Sequence, residues 1–213
     1  MNILDLFPVP VGLTELGRDV TKEEMTFINE MKEHTTRIGG GNLITVNEYV
    51  LDEEPLKQLK NEFESHVREY FHQVWNPKTD GDVDVYITTS WLTYTSKHES
   101  HHPHAHPNSF ISGTFYPKVG DDDEIVFPND RIYYSNIKIT AEEATMYNSE
   151  GYREPVYNGR IMLWPSTLDH YVAQKMDDQS RICLAFNTWI KGTVGEYSEK
   201  TELKLSDEPY RGN

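Results

Sequence analysis

The first 80 residues carry apolar positions three and four residues apart, the spacing that predicts helices with one buried face. The first helix follows a capping box formed by Thr21 and Glu24. Its apolar positions are Met25, Ile28 and Met31, and the glycines at 39–41 end the pattern.

The second helix has a longer and more regular pattern, in which Lys, Glu and Arg fill the positions between apolar residues. Pro55 suits its first turn, and Asn76-Pro77 ends it. Its apolar positions are Leu56, Leu59, Phe63, Val67, Tyr70 and Val74. We therefore predict two N-terminal helices, each with one face to bury.

After residue 80 the chain changes to short β-branched and aromatic runs separated by turn residues, which predicts strands. The predicted strands are 84–96, 109–117, 124–127, 132–139, 143–147, 160–164, 169–175 and 181–190, with turns at Gly120-Asp121, Asn129-Asp130, Asn158-Gly159 and Asp177-Asp178. Many short strands after two helices indicate a mainly β (α+β) fold: a jelly roll with the two N-terminal helices packed on one sheet. We expect a single domain over 1–213, divided into a helical segment (1–80), a β core (81–195) and a partly loose acidic tail (196–213).

The composition of the chain argues against several classes of partner and location. The formal net charge of −15 over 213 residues disfavours nucleic acid and anionic membrane surfaces. No apolar run approaches the ~20 residues of a membrane span, and the N-terminus MNILDLFPVPVG lacks the pattern of a signal peptide. Cys183 is the only cysteine, so an intramolecular disulfide is impossible and a reducing cytoplasm is the expected location.

Four of the nine histidines lie within residues 101–106, HHPHAH, just before a predicted strand. In an extended strand His104 and His106 point to the same face, where both imidazoles can reach one Fe, Zn, Cu or Ni ion. His102 is in phase with them, but Pro103 leaves its direction open, and residues 96–103 resemble a solvated loop. A third histidine of the same kind, His170, lies in the later strand LDHYVA.

Arg181 begins the strand that follows, and RICLAF has the composition of a strand buried on both faces. A turn centred at Asp177-Asp178 would make a hairpin that pairs Gln174 with Arg181, Val172 with Cys183 and His170 with Ala185. Arg181 and His170 would then share a face about 13 Å apart, at ~3.3 Å per residue, which leaves room for a short dicarboxylate between the guanidinium and a metal. The alternative for Arg181 is a surface ion pair with Asp177 or Asp178.

Segments 90–116, 159–172 and 181–187 resemble the 2-oxoglutarate- and Fe(II)-dependent oxygenases, in particular a small family found in bacteria and phages. The resemblance rests on the Trp of SWLTY and on HAHPNSFISGTFY, GRIMLWPSTLDHYV and RICLAFN. It implies a double-stranded β-helix that binds Fe(II) at one mouth, with His104, His106 and His170 as ligands. It also implies that Arg181 binds the far carboxylate of the cosubstrate 2-oxoglutarate.

The sequence departs from this superfamily at two positions. Most members have a carboxylate where His106 stands, so we rank a three-histidine site first and a site completed by Glu99 or Asp130 second; Asp169 should point to the opposite face from His170. Cys183 stands where serine is more common. The cosubstrate hydrogen bond would then come from another residue, and the candidates are Tyr94, Ser112, Tyr116, Asn108 and Asn187, whereas Trp91 and Trp164 are expected in the core.

The resemblance implies hydroxylation of an unknown substrate by O2, with release of succinate and CO2 and no catalytic residue beyond the metal ligands. The acidic loop 118–131 favours a neutral or cationic substrate, such as an amino acid or a protein side chain. Two other functions stay open: a cupin-like three-histidine enzyme that does not use 2-oxoglutarate, and a jelly-roll structural module stabilised by metal. Arg181 discriminates between the oxygenase and the cupin-like enzyme, because only the oxygenase requires a free guanidinium in the cavity.

Overall fold

The computed structural model describes residues 1–129 and 139–206, and it contains two antiparallel sheets that face each other. Strand order in the larger sheet is β1-β9-β6-β11-β4-β3-β2, and β12 adds to the end of β11; the smaller sheet has the order β5-β10-β7-β8. The strands are β1 Gly12–Glu15, β2 Thr35–Arg37, β3 Leu43–Thr45, β4 Asp84–Thr95, β5 His101–His104, β6 Ile111–Lys118, β7 Glu124–Pro128, β8 Gly151–Pro155, β9 Arg160–Pro165, β10 His170–Val172, β11 Arg181–Val194 and β12 Leu203–Leu205. This is the predicted jelly roll, or double-stranded β-helix.

Two α-helices cover the outer face of the larger sheet: α1, Lys22–Glu30, and α2, Lys57–Trp75. The predicted capping box of α1 is confirmed, because the Thr21 hydroxyl accepts from the Glu24 amide and the Glu24 carboxylate accepts from the Thr21 amide. Helix α2 ends at Asn76, which adopts the left-handed conformation with φ 44°. The start of α1 and the end of α2 thus follow signals that are local in the sequence.

The main hydrophobic core lies between the helices and the larger sheet. On α2, Leu59, Phe63 and Val67 are fully buried. The Phe63 ring packs 5.1 Å from that of Phe115 on β6 and 5.5 Å from that of Phe186 on β11. Apolar residues at these spacings therefore attach α2 to the two central strands, and each large ring removed from water contributes roughly 1.5–3 kcal/mol.

Strand β11 is buried on both faces, as predicted. Ile182, Leu184 and Phe186 belong to the core beneath the helices. The alternate residues, Arg181, Cys183 and Ala185, line a cavity between the two sheets. Because successive side chains of a strand point to opposite faces, one face of β11 packs in the core and the other lines the cavity.

The predicted hairpin between residues 169–175 and 181–190 is wrong. Strand β10 pairs with β5 and β7 in the smaller sheet, whereas β11 pairs with β4 and β6 in the larger one. The segment between them crosses from one sheet to the other, because β11 already has a neighbour on each side. His170 and Arg181 still line the same cavity, but they face each other from opposite sheets.

Other predicted boundaries also change. Helix α1 ends at Glu30, well before the glycines, and the segment 1–80 also contributes β1, β2 and β3. Residues 143–147 form turns instead of a strand, while the strand lies at β8. The acidic tail is not simply loose, because β12 pairs with the end of β11. The predicted strand 132–139 lies almost entirely outside the described residues.

The helices differ from those that cross a lipid bilayer. Helix α2 is 19 residues long but carries charged residues along its length. Within residues 1–129 and 139–206, no helix combines the length and apolar character that spanning a membrane requires.

Candidate metal centre

Three imidazoles meet where the smaller sheet closes over the larger one. His104 ends β5, and the antiparallel register places it directly opposite His170, the first residue of β10. His106 follows β5, and its backbone amide donates to the Ser166 carbonyl at 3.0 Å. As a result, one ring nitrogen from each of the three histidines lies within 4.8 Å of the others.

Each of the three rings is oriented by a bond at its Nδ1 atom. His104 Nδ1 lies 2.9 Å from the His102 carbonyl oxygen, and His170 Nδ1 lies 3.1 Å from the Leu168 carbonyl oxygen. His106 Nδ1 lies 2.6 Å from Asn187 Oδ1. These oxygens can only accept, so each Nδ1 carries a proton and donates it, which leaves each Nε2 with a free lone pair for a metal.

Burial keeps these imidazoles neutral. Desolvation, followed by the neighbouring His104, lowers the pKa of His170 to about 3. Desolvation also lowers the pKa values of His104 and His106 below the ordinary value. Neutral imidazole is the form that binds a metal ion, so the rings need not lose a proton at neutral pH.

Arg181 enters the same cavity from the larger sheet and is only 2% exposed. Its Nη2 donates to Thr95 Oγ1 at 3.2 Å, and its Nη1 lies 3.7 Å from Asp123 Oδ1. Within the described part of the chain, Nε and Nη1 have no hydrogen-bond partner. A buried guanidinium with unfilled donors is the feature expected where a carboxylate ligand binds.

The alternative ion pair of Arg181 with Asp177 or Asp178 does not form. Asp177 accepts from Lys175 at 2.7 Å, and Asp178 accepts from Lys97 at 2.8 Å. Lys175 is itself buried and also bonds both oxygens of Asp123, at 2.9 and 3.0 Å. The carboxylate nearest to Arg181 is therefore already shared with a lysine, and it leaves most of the guanidinium unsatisfied.

Glu99, one of the two carboxylates proposed as a third metal ligand, does not join the histidines. Glu99 is bound by Arg37 at 2.8 Å and by the Ser96 amide at 2.7 Å. Asp169 is exposed, on the side away from the cavity, and Asp130 lies outside the described residues. Over residues 1–129 and 139–206, the ligand clusters that include His104 contain histidines only.

The residues proposed to bind 2-oxoglutarate separate into two groups. Tyr116 lines the cavity, and burial raises the pKa of its phenol above the ordinary value, so the group stays a neutral donor. Asn187 holds His106 by the bond described above. The others are placed elsewhere: Tyr94 donates to the Ile28 carbonyl beneath α1, Ser112 bonds Ser166 at 2.8 Å, and Asn108 sits in an exposed turn with φ 55°.

Cys183 also lines the cavity, at the position where serine is more common. Burial raises the pKa of its thiol to about 12, so the thiol remains protonated at neutral pH. Cys183 therefore contributes an apolar, weakly donating surface beside Arg181 in place of a hydroxyl.

Several cavity residues were missed by sequence reasoning. His101 lines the cavity, with its ring 4.4 Å from that of His104, although residues 96–103 resembled a solvated loop. Trp91 lies 5.6 Å from the His106 ring and is only half-buried, so it is not the core aromatic that was expected. Trp164, in contrast, is the core aromatic that was expected: it is fully buried and packs 4.8 Å from the His170 ring. Register between strands, which no local pattern encodes, places these rings around the histidines.

Comparisons with known proteins agree with this geometry. Residues 89–187 match the family described as "Putative 2OG-Fe(II) oxygenase", and this segment holds all three histidines and Arg181. The sequence matches no curated protein.

Solved structures of low sequence identity share the fold. A prolyl-4-hydroxylase from Pseudomonas putida is 11% identical, with a TM-score of 0.54 over 86% of this chain and 95% of its own. HygX from Streptomyces hygroscopicus, with nickel and 2-oxoglutarate bound, is 11% identical, with a TM-score of 0.55 over 84% and 82% of the two chains. The epimerase SnoN, in complex with Fe3+, alpha ketoglutarate and nogalamycin RO, is 13% identical, with a TM-score of 0.56 over 96% and 88%.

The residues present fit both cofactors of the matched family, because imidazole nitrogens suit iron and a buried guanidinium suits a dicarboxylate. The family match and the unfilled donors of Arg181 favour an oxygenase that uses 2-oxoglutarate over a cupin-like enzyme or a purely structural module. Over residues 89–187 the chain is therefore similar to the 2-oxoglutarate- and Fe(II)-dependent oxygenases, whose cofactors are Fe(II) and 2-oxoglutarate.

Proposed function

We propose that this protein is an oxygenase that hydroxylates a C–H bond of an organic substrate, with His104, His106 and His170 holding Fe(II) and Arg181 holding the far carboxylate of 2-oxoglutarate. The balanced reaction converts substrate, O2 and 2-oxoglutarate to hydroxylated substrate, succinate and CO2. One observation carries the proposal: one ring nitrogen from each of the three histidines lies within 4.8 Å of the others, in a cavity that also contains an arginine with unfilled donors.

Fe(II), when bound with 2-oxoglutarate, supplies the oxygen chemistry, and the protein supplies ligands, orientation and exclusion of water. Asn187 and the two carbonyl oxygens fix the imidazoles by their Nδ1 protons. Arg181 orients the diacid, and Cys183 with Tyr116 keeps the surrounding wall dry and uncharged. No general acid or base is needed among these residues.

Three neutral ligands distinguish this site from one with a carboxylate ligand. An iron site of this kind keeps its full double positive charge, which favours a dianionic cosubstrate and raises the reduction potential of the iron. The charges of Arg181 and Lys175 are matched by those of Asp123 and Asp177, so the protein around the cosubstrate is close to neutral. Attraction for the diacid would therefore come mainly from the metal, and Arg181 would set its orientation.

The test separates metal binding from turnover. Wild-type protein should bind one Ni2+ or Co2+ by calorimetry and should form succinate from 2-oxoglutarate in the presence of Fe(II), ascorbate and O2. His106→Ala should lose both properties, whereas Glu99→Gln should keep them. Retention of tight metal binding by His106→Ala, or oxygen consumption that does not depend on 2-oxoglutarate, would contradict the proposal.

We also propose that the protein acts in a reducing cytoplasm, that of a host cell if the gene belongs to a phage. The single free cysteine, half-buried and with its thiol protonated, supports this location.

A further inference from the structure

A large groove lies beside the metal centre on the concave face of the larger sheet, with a volume of about 1250 Å3. It crosses four neighbouring strands, β2, β3, β4 and β11, and is bordered by the turn at Pro107-Asn108. Trp91 lines both the groove and the metal cavity, and Asn187 lines the groove while its Oδ1 holds His106. A molecule in the groove therefore lies next to the metal ligands.

The groove is too large for a free amino acid. Four strands at a spacing of ~4.8 Å span about 14 Å, the length of roughly four extended residues. Its walls offer polar groups at several points, among them the Asn108 amide and the Thr36 hydroxyl. In the described part of the chain, neither of these two side chains has a hydrogen-bond partner, so both are available to a ligand's amide groups.

Four aromatic residues line the groove. The four rings belong to Tyr49, Tyr86, Trp91 and Trp189, of which Tyr49 is 40% and Trp189 38% exposed. Among the ring contacts of the described residues, none joins two of these four. The exposed surface of Tyr49 and Trp189 is therefore available to a ligand, and a cation placed over an aromatic ring is attracted by it.

The charged residues that line the groove also favour a positively charged ligand. Glu48 is the only charged residue among those that line it in the described part of the chain, and no Arg, Lys or His is present there. Its carboxylate is exposed and has no ion-pair partner among the residues the structure describes. A phosphate or a free α-carboxylate would find no positive group in the groove, whereas a single cation would find one carboxylate and several ring faces.

The described part of the acidic run, 118–129, does not contribute to this selectivity through direct contact. Asp121 and Asp122 are exposed, and Asp123 pairs with Lys175 at the Arg181 end of the cavity. None of the described residues of this run lines the groove.

We propose that the groove binds a peptide segment that carries one lysine or arginine side chain, and that this segment is the substrate. The inference rests on the proposed function, because it places the peptide beside the iron. A peptide fits better than a polycationic amino sugar, since the groove offers one carboxylate for one positive charge. It fits better than a free amino acid, since amide-linked neighbours carry no charge and match the Asn108 and Thr36 groups.

Binding is measured without turnover, on protein loaded with Ni2+ and 2-oxoglutarate, by competition of peptide pools against a fluorescent reference peptide. Three pools of random heptapeptides differ only in the central residue, which is Lys, Gln or Glu. The Lys pool should bind at least about five-fold more tightly than the Gln pool, and the Glu pool should bind most weakly. Glu48→Gln and Trp189→Ala should each reduce the preference for Lys by about two- to five-fold.

Matched controls lie outside the groove. Glu202→Gln removes an exposed carboxylate and Tyr197→Ala an exposed ring, and neither should change the preference. Equal binding of the three pools, a preference that survives in the Glu48→Gln/Trp189→Ala double variant, or tighter binding of an aminoglycoside than of the Lys pool would overturn the peptide assignment.

Succinate formation in the absence of peptide keeps this result separate from the proposed function. If the wild-type protein forms succinate but does not distinguish the three peptide pools, the groove proposal fails and the oxygenase assignment stands. If the metal binds and no succinate forms under any condition, the oxygenase assignment fails, and the substrate proposal fails with it.

Discussion

Arg181→Met tests the cosubstrate site most directly, because the methionine keeps the apolar part of the side chain and removes the donors. The wild-type guanidinium has one bond to Thr95 and two donor nitrogens without a hydrogen-bond partner, so a carboxylate can make a two-point contact. Hydrogen bonds to a charged group contribute about 1.5–3 kcal/mol. At about 1.4 kcal/mol per factor of ten, KM for 2-oxoglutarate should rise by roughly 12- to 150-fold.

The assay is succinate formation as a function of 2-oxoglutarate concentration, together with calorimetric binding of Ni2+. Metal affinity should stay at the wild-type value, because Arg181 does not contact the rings. Arg181→Lys should fall between wild type and Arg181→Met, since it keeps the charge and loses the planar fork. Arg153→Met serves as the matched control, because Arg153 is an exposed arginine paired with Glu124. An unchanged KM in Arg181→Met would refute the assignment of this residue to the cosubstrate.

Three further predictions address the supporting residues. Asn187→Ala should weaken Ni2+ binding by about 10- to 100-fold because it frees His106 to rotate, and Asn108→Ala should not; equal affinities in calorimetry would remove Asn187 from the site. Lys175→Met should lower the free energy of unfolding by about 3–5 kcal/mol in urea, because it leaves the buried Asp123 carboxylate without its closest positive partner, whereas Lys97→Met at a surface pair should cost about 0–1 kcal/mol; similar losses would contradict this account. Tyr94→Phe should cost about 1 kcal/mol in the same unfolding experiment and leave KM for 2-oxoglutarate unchanged, and a large rise in KM would return Tyr94 to the cosubstrate site.

Short sequence patterns predicted the helices and strands whose formation depends on residues close together in the chain. The spacing of Leu59, Phe63 and Val67 predicted α2, and the pair Thr21 and Glu24 predicted the start of α1. The apolar residues on both faces of 181–190 predicted β11. They did not predict which strands pair with it. In each case, a few adjacent residues carry the whole signal.

Pairing between distant strands could not be predicted in the same way. The assumed hairpin placed His170 beside Ala185, whereas the fold places His170 opposite His104, 66 positions earlier in the sequence. The partner of a short strand such as β10 depends on which sheet edges are free, and three residues carry too little pattern to decide it. His101 was missed for the same reason, since only the pairing of Val172 with His101 brings it to the cavity.

Strand β5 forms an outer margin of the smaller sheet, and this position has a consequence for association between copies of the protein. An outer strand with free amides and carbonyls is a template on which another chain can add. Here Pro103 has no amide hydrogen to offer, and His102 and Pro103 are both exposed, so the segment is a poor template. The same four residues that bring His104 to the cavity therefore also discourage the growth of intermolecular sheets.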